Sequence, residues 1–311
     1  MTKTALSEVR RWVQRNARAL DLALWNVRWE HGDPRQVVDC LRDYQNADGG
    51  FGHAIEADNF DPHSTPSNVG TAQRLLASCG ITGADEPIIQ EIVRFLRSGI
   101  GFEPYGWRFA MESTADWPHA PWWTYYPKAD PEESIGITAD FCALLLRVLP
   151  EGDPLREKAA SLTEELLDKL QHNSSFGDMG LSGLYSLITT LPTLPEGKLY
   201  DLPALSAILD EKANASIVRD PSKWPYYGVR PSNFIRSPEH PLYAQNKDVV
   251  EAELDFLIDT RPAGGVWPIT WTWFDNNEKY ASAFALCENW WKSLKALEAL
   301  EFLDAFGRVE K

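Results

Sequence analysis

The stretch Tyr44-Gln45-Asn46-Ala47-Asp48-Gly49-Gly50-Phe51-Gly52 constrains this chain most, because a weaker version of it returns near the other end. A helical run, Val37 to Tyr44, stops there, and Asp48-Gly49-Gly50 supplies the positive backbone angles of a tight reversal. Gln45 carries two donors and an acceptor, so it is expected to tie the turn to a neighbouring helix end, with Phe51 packed beneath. The order of helix, Gly-Gly and aromatic recurs at Leu254 to Trp267, where the glutamine is lost. Degraded copies lie between, Ile92 to Phe102 and Leu166 to Gly177. Such a repeat predicts stacked helical pairs closed into a ring around a central cavity.

A second repeated element sits between the turns. Ser67-Asn68-Val69-Gly70-Thr71-Ala72 and Ser134-Ile135-Gly136-Ile137-Thr138-Ala139 share a Ser, Gly, Thr-Ala order, and each leads into a leucine-rich helix. A serine or asparagine near each start can cap the first turn, and the small residues allow close helix packing. These helices are expected to be the inner partners of the outer helices that end in the Gly-Gly turns.

Helical spacing through Val13, Ala17, Leu20 and Leu24 predicts a first helix of roughly 20 residues, before a Gly32-Asp33-Pro34 break. Further helices are expected at 67–78, 87–97, 134–148, 154–171, 180–190, 202–213, 248–258 and 280–306. Strand patterning is nearly absent. Two aromatic, proline-rich stretches without periodicity, about 101–133 and 221–243, interrupt the pattern, and long loops inside a compact domain are often functional. The expected fold class is all-α, an (α/α) toroid of about ten to twelve helices in a single domain, residues 1–311.

A net charge of -15 argues against nucleic acid or an anionic membrane as a partner. Arg10, Arg11, Arg15 and Arg18 form a basic face that suits solvent. No apolar run approaches a membrane span and no leader is evident, so a cytoplasmic protein is expected. Cys40, Cys79, Cys142 and Cys287 are widely spaced in helical patterns, which suits reduced thiols.

Gln45-Asn46-Ala47-Asp48-Gly49-Gly50-Phe51-Gly52 and Gly264-Gly265-Val266-Trp267 resemble the QW-type repeats of the prenyltransferase and squalene-hopene-cyclase superfamily. More narrowly, the chain is similar to small single-toroid bacterial members; His119-Ala120-Pro121-Trp122-Trp123 and Trp267-Pro268-Ile269-Thr270-Trp271-Thr272-Trp273 add to the likeness. The resemblance implies an α/α toroid and an apolar, isoprenoid small-molecule ligand. It also implies an Asp-x-Asp-Asp acid, which this chain lacks: Ser67-Asn68-Val69-Gly70-Thr71-Ala72 stands where it belongs. Neither hydroxyl nor amide can protonate an alkene.

Asp140-Phe141-Cys142 has the local spacing of a prenyltransferase zinc site, but on a helix residues two apart point about 200° away from each other, and a packed core thiol is the expectation for Cys142. No cofactor is expected, and a divalent metal, magnesium or zinc, has no supporting motif. Oligomeric state is left open.

His53, Glu56 and Asp58, with Asp61 and His63, follow the first Gly-Gly turn and are the candidate acid/base set; the alternative is that Glu56 and Asp58 cap the next helix or pair with Arg74. The chain has thirteen tryptophans, and its proline-rich, non-periodic segments hold more aromatics than core packing needs. Trp107, Trp117, Trp122, Trp123, Tyr125, Trp224, Trp271 and Trp273, with Asp275, are the candidate substrate-binding residues, since aromatic faces stabilise carbocations and stack on sugars. Asp275, Asp116 and Glu112 beside them would suit glycoside cleavage. The leading function is a terpene-cyclase or prenyltransferase-like protein; the alternatives are a carbohydrate-active toroid and a non-catalytic binding protein.

Overall fold

The structure is a computed structural model of the chain and describes residues 1–310. Among them twelve α-helices dominate: α1 Lys3–Asn16, α2 Ala19–Trp29, α3 Arg35–Arg42, α4 Pro66–Ser78, α5 Pro87–Ser98, α6 Asp130–Val148, α7 Pro154–His172, α8 Gly180–Thr190, α9 Leu202–Ser216, α10 Tyr243–Thr260, α11 Asn276–Lys279 and α12 Ala281–Ala305. The only sheet among the described residues is a two-stranded hairpin, β1 Phe102–Glu103 paired with β2 Gly106–Trp107. No described helix is long and apolar enough to cross a membrane. Contacts gather in two compact units, one formed by residues 1–33 with 213–311 and one by residues 34–212.

The glycine turns of all four repeat copies share one backbone feature: Gly49, Gly101, Gly177 and Gly264 each have positive φ. Gln45 does not reach a neighbouring helix. Its Nε2 donates to the carbonyl of Gly49 inside the turn (3.2 Å), and the link outward comes from Arg94, which donates to the Ala47 carbonyl (2.9 Å). Phe51 is fully buried. In the copy that lost the glutamine, Arg261 donates to the carbonyl of Gly265 (3.0 Å), again four residues ahead. One arginine thus replaces one amide.

Within residues 34–212, α4, α6 and α8 lie parallel. Gly70 approaches Ile137, and Gln73 Nε2 donates to the Asp140 carbonyl (2.8 Å), both pairs 67 positions apart. That offset also superimposes the Ser, Thr-Ala order of the two helices, so equivalent positions of the repeat face each other. At the other side of α6, Gly136 meets Met179 and Gly183, and Asp140 bonds Ser186, so numbering again climbs together. The outer α7 runs back antiparallel, with Thr163 beside Cys142 and Arg156 donating to the Leu149 and Leu146 carbonyls. Every residue of α6 from Ser134 to Leu146 is buried, the signature of a core helix.

Helix α6 starts a turn earlier than Ser134. Asp130 accepts from the backbone N–H of Phe109 (3.1 Å) and from the Tyr105 hydroxyl (2.8 Å), while Pro131, Glu132 and Glu133 suit a helix N-terminus. The cap of α4 is Thr65, whose hydroxyl accepts from Asn68 N–H (3.2 Å).

Within the other unit, the expected single first helix is two. Ala17 and Arg18 are extended, and Arg18 turns inward to a two-pronged pair with buried Asp21 (2.9 and 2.9 Å) beneath Trp290. Apolar spacing continues across the break, so periodicity cannot reveal it. Helices α1, α2 and α10 pack on α12.

A Cβ at Gly183 would lie 2.1 Å from the Gly136 carbonyl oxygen. Gly183→Ala is therefore expected to push α8 off α6 and destabilise the fold by about 1–3 kcal/mol, read as a lower denaturation midpoint. Gly264→Ala, whose Cβ would meet no atom within 4 Å, should cost only the backbone strain of its positive φ.

Candidate functional site

The repeated threonines of α4 and α6 do equivalent jobs. Thr71 Oγ1 donates to Glu56 (2.6 Å) and holds the loop after the first Gly-Gly turn; Thr138 Oγ1 accepts from the Trp107 backbone N–H (3.1 Å) and holds the first aromatic loop. Both loops are thereby fastened at matching heights on the parallel helices.

The three candidate acid/base residues have separate partners. His53 is exposed, with positive φ, and its Nε2 lies 3.0 Å from Asn46 Oδ1. Glu56 bonds Thr71 and does not cap α4. Asp58 is buried and accepts from the Trp123 indole (2.7 Å), and Trp123 stacks on Phe109. Asp61, fully buried, accepts from the His63 backbone N–H (2.9 Å) and the Ser113 hydroxyl (2.6 Å). Asp58 and Asp61 therefore fasten the aromatic loop to the turn loop.

A longer polar chain links three elements. Arg74 Nη2 donates to Thr71 Oγ1 (2.9 Å), and Nη1 donates to Asp140 Oδ2 (3.3 Å), so Glu56, Thr71, Arg74, Asp140 and Ser186 form a continuous run. Asp140 is buried while Arg74 remains 40% exposed, so the run opens to solvent at the guanidinium. Burial pushes the Asp140 carboxyl above its ordinary range, against the pull of Arg74 and Ser186. One turn below Thr71, Asn68 is fully buried and neither amide atom has a hydrogen-bond partner; the Trp107 indole N–H and Gln73 Oε1 are likewise unmatched. Such demands are rare in cores.

Sequence patterning pointed to Glu56 and named Arg74 as an ion-pair partner for it. Their connection runs instead through Thr71. The local spacing of Asp140-Phe141-Cys142 does not reveal that Asp140 pairs with Arg74, because that partner lies 66 positions away on another helix. Asp140 and Cys142 face different neighbours, Arg74 and Thr163, and burial pushes the Cys142 thiol up to about 12. Among the described residues no group of three or more His, Cys, Asp or Glu is placed to hold a metal ion.

The candidate aromatics divide by burial. Trp107, Trp123, Trp224 and Trp273 are buried, whereas Trp122, Tyr125 and Trp271 are partly exposed and Trp117 is 37% exposed. Tyr125 lies under the Arg108 guanidinium (4.8 Å), and Trp117 meets His63 edge-on. Glu112 is taken by Arg108, and Asp116 and Asp275 are exposed. Two cavities stand out: one of about 720 Å³ between α7 and the start of α9, lined by Glu164, Asp168, Leu199 and Leu205, and one of about 280 Å³ around Trp224. No family model, curated protein or solved structure matches the chain.

The raised Asp140 carboxyl has a signed consequence. The folded protein keeps this proton at pH values where the unfolded chain has lost it, so stability falls as pH rises from near 3.8 through the folded value. Denaturant midpoints measured from about pH 4 to 7 should show Asp140→Asn gaining stability relative to the parent as pH rises.

Proposed function

We propose that this chain is an (α/α) toroid protein of the terpene-cyclase and prenyltransferase type, binding or converting an apolar, isoprenoid small molecule in a central, aromatic-lined cavity. The observation that carries this proposal is the polar run Glu56–Thr71–Arg74–Asp140, which starts in the loop after the Gly-Gly turn and crosses between the parallel, repeated helices α4 and α6. The Gly-Gly turns and the Ser, Thr-Ala order of those helices supply the family resemblance. Asp140 stands in for the missing Asp-x-Asp-Asp acid: burial keeps its carboxyl protonated to higher pH than usual, so a proton is in place to pass to an alkene carbon, and the nearby Arg74 guanidinium offsets the carboxylate that this transfer leaves. The carbocation that results is what aromatic faces such as the Trp123–Phe109 stack stabilise. His53 and Asp58, tied to the turn and the loop, are positioning residues in this scheme.

A second function draws on the same run. Two carboxylates, Asp140 on Arg74 and Glu56 on Thr71, at the two ends of one polar run, also suit a saccharide ligand. A non-catalytic binder would keep the ligand and lose nothing on carboxylate removal.

A thermal-shift panel of prenyl alcohols, prenyl diphosphates and oligosaccharides, each with and without magnesium or zinc, separates these functions. A ligand at about 100 times its dissociation constant stabilises by about 2.7 kcal/mol. Stabilisation by prenyl compounds is expected, with Asp140→Asn retaining binding and losing turnover. Stabilisation by saccharides alone would transfer the assignment to a carbohydrate-active protein, and no response from any class would remove both.

A further inference from the structure

The unit formed by residues 1–33 and 213–311 contains a self-contained loop that the proposed chemistry does not use. Its ends are joined by one backbone bond, Val218 N–H to the Val229 carbonyl (2.8 Å), and its interior is filled by Trp224, 1% exposed, whose indole donates to the Val218 carbonyl (2.7 Å). Asp220 starts the inner turn by accepting from Ser222 N–H and Oγ (3.0 and 2.8 Å), and Tyr226 N–H closes on the Lys223 carbonyl (3.0 Å). A loop whose ends meet and whose own side chain forms its core is a rigid surface module. Outside the loop, Tyr227 meets Trp271 edge-on (6.3 Å between ring centroids), which holds that ring in place.

The 280 Å³ cavity on the face of this loop has a distinct chemistry. It is lined by Val218, Trp224, Tyr226 and Tyr227, and its only ionisable groups besides the tyrosines are Lys223 and Arg230. Two cations and no carboxylate line it, in a chain of net charge -15. Lys223 makes no ion pair within 4.0 Å among the described residues. Arg230 is anchored at one edge only: Nε lies 3.4 Å from Glu253 Oε1, and its Nη atoms hold no hydrogen bond among the described residues. Glu253 itself is fully buried and already accepts from Ser232 N–H and Oγ (2.8 and 2.6 Å). The guanidinium is therefore aimed without being consumed. Tyr226 and Tyr227 stand 72% and 67% exposed, an unusual amount of aromatic surface to leave in water beside two cations.

We propose that this loop is a binding site for a small ring-bearing organic anion, a phosphate or carboxylate whose charge meets Lys223 and Arg230 while its ring packs against the exposed faces of Tyr226 and Tyr227, above the buried Trp224. Arginine recognises both anions through paired N–H donors, and lysine adds a point charge. The volume lies near the lower end of ligand pockets, so the ligand is small. This site is independent of the function proposed above, since none of its residues belongs to the Glu56–Asp140 run.

Isothermal titration of the full chain with phenyl phosphate, benzoate and glucose 6-phosphate, against neutral phenol and glucose, tests the proposal. At least one anion is expected to bind tenfold or more tightly than its neutral counterpart, with affinity falling as salt rises; which anion wins separates a phosphate from a carboxylate ligand. Exposed Lys223→Ala should weaken that anion about tenfold and reduce the salt dependence. Tyr226→Ala gives a second, charge-neutral arm, because it removes an exposed aromatic wall and leaves both cations in place. The ring-bearing anion should bind several-fold more weakly in that variant. Anions that bind no more tightly than phenol and glucose, or an affinity unchanged by both Lys223→Ala and Tyr226→Ala, would overturn the proposal.

Discussion

The close approach of α6 to its neighbours is the constraint on which the unit of residues 34–212 depends. A helix buried on all sides has no polar face to turn to solvent, so its position is fixed by fit and by a few buried hydrogen bonds. Gly136 and Gly183 let two backbones come to a separation that no Cβ permits. On the opposite side, Gln73 gives its amide to the Asp140 carbonyl and sets the register of α4 to the residue. Once both registers are set, Thr71 and Thr138 stand level, and the two loops they hold are brought to the same end of parallel helices. Asp140 faces Arg74 only because of this alignment, so the polar run is a product of packing and not of any local motif.

The all-α class, most helix positions and the Gly-Gly turns were legible in the sequence because each rests on short-range signals. Proline at a helix start, a 3.6-residue apolar period and a glycine with positive φ all act within a few residues. The break at Arg18 was not legible, since Val13, Ala17, Leu20 and Leu24 keep their spacing across it and the decisive contact is a buried ion pair. The same holds for Asp140. It sits in an apolar helix whose pattern advertises core, and its partner lies on another helix. His53, Glu56 and Asp58 looked like one set because they are adjacent in sequence, yet adjacency in a loop does not aim side chains at a common point. Of the aromatics, spacing could not tell Trp107, which packs edge-on against Phe141, from Trp117, which reaches solvent.

Buried carboxylates recur through the chain and fall into two kinds. Asp58 and Asp61 hold loops to each other through neutral donors, Trp123 and Ser113, and serve as fasteners. Asp21, Asp140 and Glu253 are each set against an arginine, and burial raises all three carboxyls above their ordinary range despite that neighbour. Desolvation outweighing attraction is the usual outcome when an ion pair is removed from water. These pairs add little net stability, so their presence at Arg74 and Arg230 asks for another role. Arg74 and Arg230 remain accessible, at 40% and 25% exposure, whereas Arg18 at 5% is sealed beneath Trp290. A carboxylate that is buried and an arginine that is not together form a fixed, outward-facing cation, and that is the arrangement both proposed sites share.

The two sharp Gly-Gly turns show how such architecture persists while its letters change. Gln45 and Arg261 differ in charge, length and shape, yet each donates to a carbonyl four residues ahead, and each precedes a glycine of positive φ and a buried aromatic. The requirement is a donor of sufficient reach, which several residue types meet; the backbone angle is the part that only glycine meets cheaply. Arg261 also donates to Glu8, whose carboxylate accepts from Gly264 N–H and is held below its usual range by these bonds. The arginine therefore links the turn to α1, the outward tie that Gln45 leaves to Arg94. Substituting one donor moves the fastening from a separate helix residue into the turn itself, so a repeat defined by side-chain identity decays faster than the geometry it encodes.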